Sequence, residues 1–219
     1  MAADEFRDGA QAAGYEIVVD EVTQFGVVEW GPILSKIEET QPSFITFWNL
    51  DPTDAARFMI QLREHFADTG FDALVFMQFT PTIPEFLELA GDAAEGLVWT
   101  ASIEAVGDLD YDARWTDKFG DEPKAVYSYA TRDAFDIWVA AVEKADCVDC
   151  YDKITQNIRE MTYDGLCGTY KFNPTDQSAL AGVDAIPSVW HQIWGGEHHV
   201  TGLGSLKEFD YQLPPWINP

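Results

Sequence analysis

The chain has 219 residues, 47% hydrophobic and 14% aromatic, enough to bury a sizeable core in one large domain or two small ones. Its 38 acidic residues face 13 basic ones, a net charge of −25 that excludes the positive surface needed for nucleic acid or an anionic membrane. No apolar stretch reaches the ~20 residues of a membrane span, so a membrane-spanning chain is not expected.

Residues 2–13 read as a helix whose incoming strand is missing. The segment from Met1 to Asp8 has neither the basic start nor the apolar run of a signal peptide, which taken alone points to the cytoplasm if Met1 is the true start. Strand-like runs then begin at Tyr15, Ser43, Phe71 and Leu97; the first three starts are 28 residues apart and the fourth follows 26 later. A strand with one crossover helix takes roughly 30 residues, so the spacing predicts a parallel sheet in a doubly wound α/β arrangement. Gly14, Gly70 and Gly96 precede three of the strands, where a helix end favours a left-handed residue, and Pro42 stops the helix before the remaining one.

Helices are predicted over Gly31–Glu39, with Ile33, Leu34 and Ile37 buried, and from the Asp51 cap onward. Asp51-Pro52 is a strong helix start, and Ala55, Phe58, Met59, Leu62 and Phe66 share one face. Beyond Glu104 the pattern changes. Asp108–Pro123 is acidic and aromatic, with Trp115 and Phe119 at helical spacing. A long helix over Ala125–Ala145 turns Tyr127, Ala134, Ile137, Trp138, Ala141 and Val142 inward, and a shorter one covers Tyr151–Met161. The last sixty residues are β-like, with a hairpin of Val189–Trp194 and His198–Thr201 turning at Gly195-Gly196. The tail Leu213–Trp216 is extended.

In an open α/β sheet, ligands bind beyond the carboxyl ends of the strands. Those ends are Gln24–Trp30, Trp48-Asn49-Leu50-Asp51 and Gln78-Phe79-Thr80. Their aromatic faces, amides and hydroxyls suit a small organic solute, and Trp30, Trp48, Asn49, Leu50, Asp51, Gln78, Phe79 and Thr80 are the candidate ligand-binding residues. The competing reading makes Trp48 and Phe79 core residues and Asp51 only a helix cap.

No catalytic residue is singled out. The chain has no Gly-x-Ser-x-Gly elbow, no phosphate-binding loop and no Gly-x-Gly-x-x-Gly after a strand, so neither an enzyme nor a cofactor is expected. His198 and His199 point to opposite faces of a strand and cannot share a metal without a bulge. Cys167 with His191 has no supporting signature as a nucleophile pair. Cys147 and Cys150 have redox-motif spacing without the context for it. A disulfide from Cys167 to one of them, with Cys150 as the candidate partner, stands against three free thiols.

Five stretches together resemble a known family. Phe25–Ile37 (Phe-Gly-Val-Val-Glu-Trp-Gly-Pro-Ile-Leu-Ser-Lys-Ile), Asp51–Ala56 and Pro84–Gly96 look like the second lobe of a type I periplasmic binding protein of the branched-chain amino acid ABC importers. Tyr163–Asn173 and Gln192–Gly196 are similar to that family's late strand and hinge hairpin. The resemblance covers essentially the whole chain and implies its C-terminal part only. Residues 1–103 would then be the second, Rossmann-like lobe, incomplete at its start. Residues 104–187 would be helices of a first lobe whose sheet is largely missing, and residues 188–219 the hinge-crossing hairpin and tail.

It also implies a non-enzymatic, extracytoplasmic receptor in the periplasm or at the cell surface, its signal peptide lost with the N-terminal part. Such receptors close two lobes on a small-molecule solute and deliver it to a membrane permease of an ABC transporter. The rivals are a ligand-sensing regulator of the same fold and an enzyme on a doubly wound sheet. In amino-acid-binding members an acidic residue after the third of these strands receives the ammonium. Here the matching place is Phe79, flanked by Gln78 and Thr80, which implies a less cationic solute such as an amide or an organic or aromatic acid. The acidity fits a solvated surface or adaptation to high salt, where screening relieves self-repulsion.

Overall fold

A computed structural model describes residues 2–101, 104, 106, 110–120, 127–202 and 207–217. It is an α/β protein whose main sheet has five strands in the order β1-β2-β3-β6-β7: Phe44–Phe47, Leu74–Gln78, Val98–Ala101, Val189–Trp194 and Glu197–Val200. The strands β1 and β2 pair in parallel, with Phe44 opposite Leu74 and Phe47 opposite Met77. The chain divides into two compact units. Unit 1 comprises residues 1–99, 191–199 and 210–219, and unit 2 residues 100–190 and 200–209.

In unit 1 the predicted βα alternation is present from β1 onward. Helices α1 (Ala2–Ala12), α2 (Gly31–Thr40), α3 (Pro52–His65) and α4 (Pro84–Ala90) flank the strands. Every apolar position predicted on the inner face of α3 is buried, and Leu34 and Ile37 of α2 are buried with them. The three glycines expected at helix ends all have positive φ. Gly96 is doubly constrained, because at φ +88° a Cβ would also lie 2.7 Å from Pro215. The tail closes the other side of this core. Trp216 donates to the Ala73 carbonyl at 2.9 Å, stacks on Phe71 at 5.5 Å, and carries Arg63 over its ring at 4.7 Å.

One predicted strand does not form. Residues 15–20 have no regular secondary structure and join no ladder among the described residues, and Tyr15 and Val18 are exposed. The apolar pattern supplies a strand's side chains but not its partner, and the sheet order begins with β1. Arg7 holds the segment instead, donating from Nε and Nη2 to the Asp20 carboxylate at 2.7 and 3.0 Å.

Unit 2 contains α5 (Tyr111–Phe119), α6 (Tyr127–Ala145), α7 (Tyr151–Glu160) and a hairpin of β4 (Tyr163–Gly165) and β5 (Gly168–Tyr170). The predicted start of the long helix at Ala125, the boundary at residue 103 and Asp108 lie outside the described residues. The inward face of α6 differs from the prediction. Its buried residues are Tyr129, Asp133, Ile137, Ala141 and Ala145, whereas Tyr127, Ala134 and Trp138 are exposed.

A buried polar residue sets that rotation. Asp133 accepts from the Leu166 and Cys167 N–H groups at 2.7 and 2.8 Å and from the Tyr170 hydroxyl at 2.9 Å. Gly165 makes room for it, since a Cβ there would lie 2.6 Å from the Asp133 Cγ. Burial, chiefly, pushes the Tyr170 hydroxyl well above its ordinary pKa and the Cys167 thiol up to about 12.

The cysteine pairing is also corrected. Cys147 and Cys150 form the disulfide, their Cα atoms 5.9 Å apart, and Cys167 is a buried free thiol. The first two bracket the short α6–α7 connection, while Cys167 is fixed by its backbone bond to Asp133. The α6–α7 core of Ala141, Ala145 and Ile154 is reinforced by Asn157, which donates to the Ala141 carbonyl at 3.0 Å.

Replacing Asp133 by Ala strands three donors, each worth about 1–3 kcal/mol when buried without a partner. Urea unfolding of Asp133→Ala should therefore show a loss of about 3–5 kcal/mol, and Asp133→Asn a smaller one. A loss under about 1 kcal/mol would show that the carboxylate does not organise unit 2.

Candidate functional site

The carboxyl ends of β1 and β2, with the loop before α2, are connected through α3 in unit 1. Asp51 caps α3, its Oδ1 accepting from the N–H groups of Thr53 at 2.8 Å and Asp54 at 3.0 Å. Asn49 folds back so that its Oδ1 accepts the Asp51 N–H at 2.7 Å, an Asx turn leading into the helix. Asp54, 1% exposed, accepts from the Gly26 N–H at 2.8 Å and from the Asn49 side-chain amide at 3.3 Å. Thr80, after β2, donates its hydroxyl to the Asn49 carbonyl. Asn49 thus touches both neighbouring strand ends, and Asp54 fixes the loop that carries Gly26.

A second residue of α3 repeats the device. Gln61 accepts the Trp30 N–H and donates to the Val28 carbonyl, both at 2.8 Å, so the loop before α2 is held at two points. Gly26 has φ +86°, a conformation that costs a side-chain-bearing residue and that presents its N–H to Asp54.

The eight predicted residues separate by position. Trp30 is buried against Phe47 and Phe58, both edge-on at 5.4 Å, and Thr80 is fully buried. Phe79 is buried at φ +69° and ψ −52°, close to the rare and strained γ-turn, with its carbonyl accepting the Thr82 N–H at 2.8 Å. Leu50 is exposed. Trp48 is partly exposed, with its Nε1 donating to the Thr46 hydroxyl at 2.6 Å, and Asn49, Asp51 and Gln78 are half-buried. Phe25 and Val28, in the loop before α2, are also exposed.

Sequence reasoning missed Asp54 and Gln61. Asp54 had a signal, as the acid three residues after a helix cap, but its partner Gly26 is 28 residues away. Gln61 had none. Among the described residues no cluster of three or more histidine, cysteine or acidic residues could hold a metal ion. No helix among the described residues is long and apolar enough to cross a membrane.

This parallel sheet, with its loops gathered at the strand ends, has known counterparts. A family model described as periplasmic binding protein matches residues 2–185. The chain belongs to the periplasmic binding protein family.

Solved structures agree on the type I fold of that family. A branched-chain amino acid ABC transporter protein from Silicibacter pomeroyi superposes with a TM-score of 0.79 at 24% identity, over 98% of this chain and 57% of the other. The leucine binding protein from Thermotoga maritima gives 0.75 at 21% identity, over 91% and 55%. An ABC transporter solute binding protein from R. palustris, solved in complex with benzoate, gives 0.68 at 16% identity, over 94% and 56%. This periplasmic binding protein chain therefore spans little more than half the length of those structures. No curated protein matches its sequence.

Both acids of the strand-end cluster have measurable structural roles. Asp54→Ala should destabilise the protein by about 2–3 kcal/mol, since it leaves buried donors unpaired. Asp51→Ala should cost about 1 kcal/mol, the value of a helix cap. Chemical denaturation of both variants checks the order, and equal losses would contradict it.

Proposed function

We propose that this chain is the solute-contacting part of an ABC-importer receptor, non-enzymatic and extracytoplasmic, which closes over a small organic molecule and hands it to a membrane permease. The solute meets Trp48, Asn49, Leu50, Asp51 and Gln78, with Trp30, Phe79 and Thr80 supporting them from beneath. The observation that carries this reading is the linkage of Gly26, Asp54, Asn49 and Thr80, which gathers the strand-end loops with apolar side chains left at the surface. A preformed, mostly apolar surface with a few amides is what a small organic ligand needs.

The solute is not a simple amino acid. Burying an ammonium without a carboxylate partner is costly. Asp54 is spent on Gly26 and Asn49, and Asp51 is spent on capping α3. An amide or an aromatic or other organic acid places no cation here. Relatives of this fold accommodate both chemistries, one being a leucine binding protein and another a complex with benzoate.

Isothermal titration with benzoate, benzamide and leucine tests the proposal. Binding of benzoate or benzamide, weakened at least about tenfold by Trp48→Ala, is the expected result. Tight binding of leucine that is lost on Asp51→Ala would contradict it.

A further inference from the structure

The chain passes out of unit 1 after Trp99, re-enters it at His191 and leaves again after His199. Side chains at these crossing positions meet around one indole. Trp99 of β3 stacks on His191 of β6 with ring centres 3.8 Å apart and planes 4° from parallel. It meets His198 of β7 edge-on, at 5.3 Å and 86°, and its Nε1 donates to the His198 Nδ1 at 3.1 Å.

An indole nitrogen can only donate. The bond therefore makes Nδ1 of His198 an acceptor and puts the imidazole proton on Nε2. A second proton has only Nδ1 to occupy, where it would face the indole N–H donor to donor. That bond cannot survive protonation of His198.

The influences on His198 from its described neighbours do not compensate the added charge. His191 on β6 and His199 on β7 both oppose a positive His198. Glu95 reaches the hairpin but accepts the N–H groups of Gly195 at 2.7 Å and Gly196 at 3.4 Å. Glu197 precedes His198 on the strand, so its side chain lies on the other face. His199 lies on that face too, with Nε2 3.0 Å from the Trp194 carbonyl oxygen. The neighbours of Trp99 on β3, Val98 and Thr100, and those of His191 on β6, Trp190 and Gln192, do not ionise.

We propose that the Trp99–His198 bond is a proton-operated latch in the crossing strands, closed while His198 is neutral and opened by its protonation, which frees β7 from the indole of β3. Loss of hydration first, and then the neighbouring imidazoles, hold the His198 pKa down at about 4. In the unfolded chain an imidazole takes its proton near pH 6.5. Between those values the unfolded state binds more protons, so stability falls as the pH is lowered: the latch contributes fully above about pH 6.5, weakens through the window and is lost below about 4. His198 retains solvent exposure, which damps the size of the effect without changing its sign.

The test follows the indole N–H resonance of Trp99 in the whole chain from pH 7.5 to 4, assigned with Trp99→Phe because the chain has eight tryptophans. His198→Gln, whose amide oxygen accepts at every pH, is the comparison. In the wild type the resonance should shift together with the His198 ring, with one midpoint well below 6.5. In His198→Gln it should stay in place, and the wild type should lose Tm relative to that variant as pH falls. An indole resonance that ignores the His198 titration, or moves equally in both proteins, overturns the latch. Should the variant not fold, the wild-type resonances alone decide, since independent titration of the two rings excludes a bond between them.

Discussion

A buried carboxylate that takes its hydrogen bonds from loop donors is the constraint on which unit 1's strand-end loops depend. Asp54 sits in the first turn of α3, where the helix's positive end favours a negative charge. Its stability there needs donors, and the loops supply them: the Gly26 backbone and the Asn49 amide. If either loop moves away, a buried charge loses a partner, a loss worth several kcal/mol. The loops are therefore held in place by the cost of opening them. Asp133 applies the same rule in unit 2, where a second buried carboxylate holds the β4–β5 turn against α6.

This arrangement has a chemical consequence. Asp54 already accepts from the Gly26 backbone and the Asn49 amide, and Oδ1 of Asp51, next to it, accepts the two cap bonds of α3. Beside them the strand ends leave apolar and amide-bearing side chains, Phe25, Val28, Leu50 and Asn49, at or near the surface. The periplasmic binding protein model matches residues 2–185, so this edge is part of that family's fold. Phe79 adds a strained backbone at the same edge, a feature that native structures retain mainly where position matters more than local stability.

Much of this was legible in the sequence, and the exceptions have physical reasons. The near-constant strand spacing located β1, β2 and β3, and Asp51-Pro52 located the start of α3, because repeat length and capping are local properties. The run at Tyr15 has the same apolar pattern but no ladder, since pairing depends on a neighbour that a pattern does not contain. The face of α6 was misjudged because Asp133 counts as polar in any periodicity yet is buried by its three donors. Cys147–Cys150 closes a short connection between neighbouring helices, whereas a bond to Cys167 depends on a long-range contact that residue spacing does not reveal. Aromatic and hydroxyl residues at strand ends picked out side chains that the structure separates by depth. They could not distinguish Leu50, which is exposed, from Trp30 and Thr80, which hold the edge up from inside.

The most direct test of the account is the hydrogen-exchange rate of one loop amide, that of Gly26. If Asp54 organises the strand ends, this N–H exchanges as slowly as amides within α3, although it lies in a segment without secondary structure, and Asp54→Ala releases it. Exchange at the rate of an open loop in the unmodified protein would show that the carboxylate does not hold the site together.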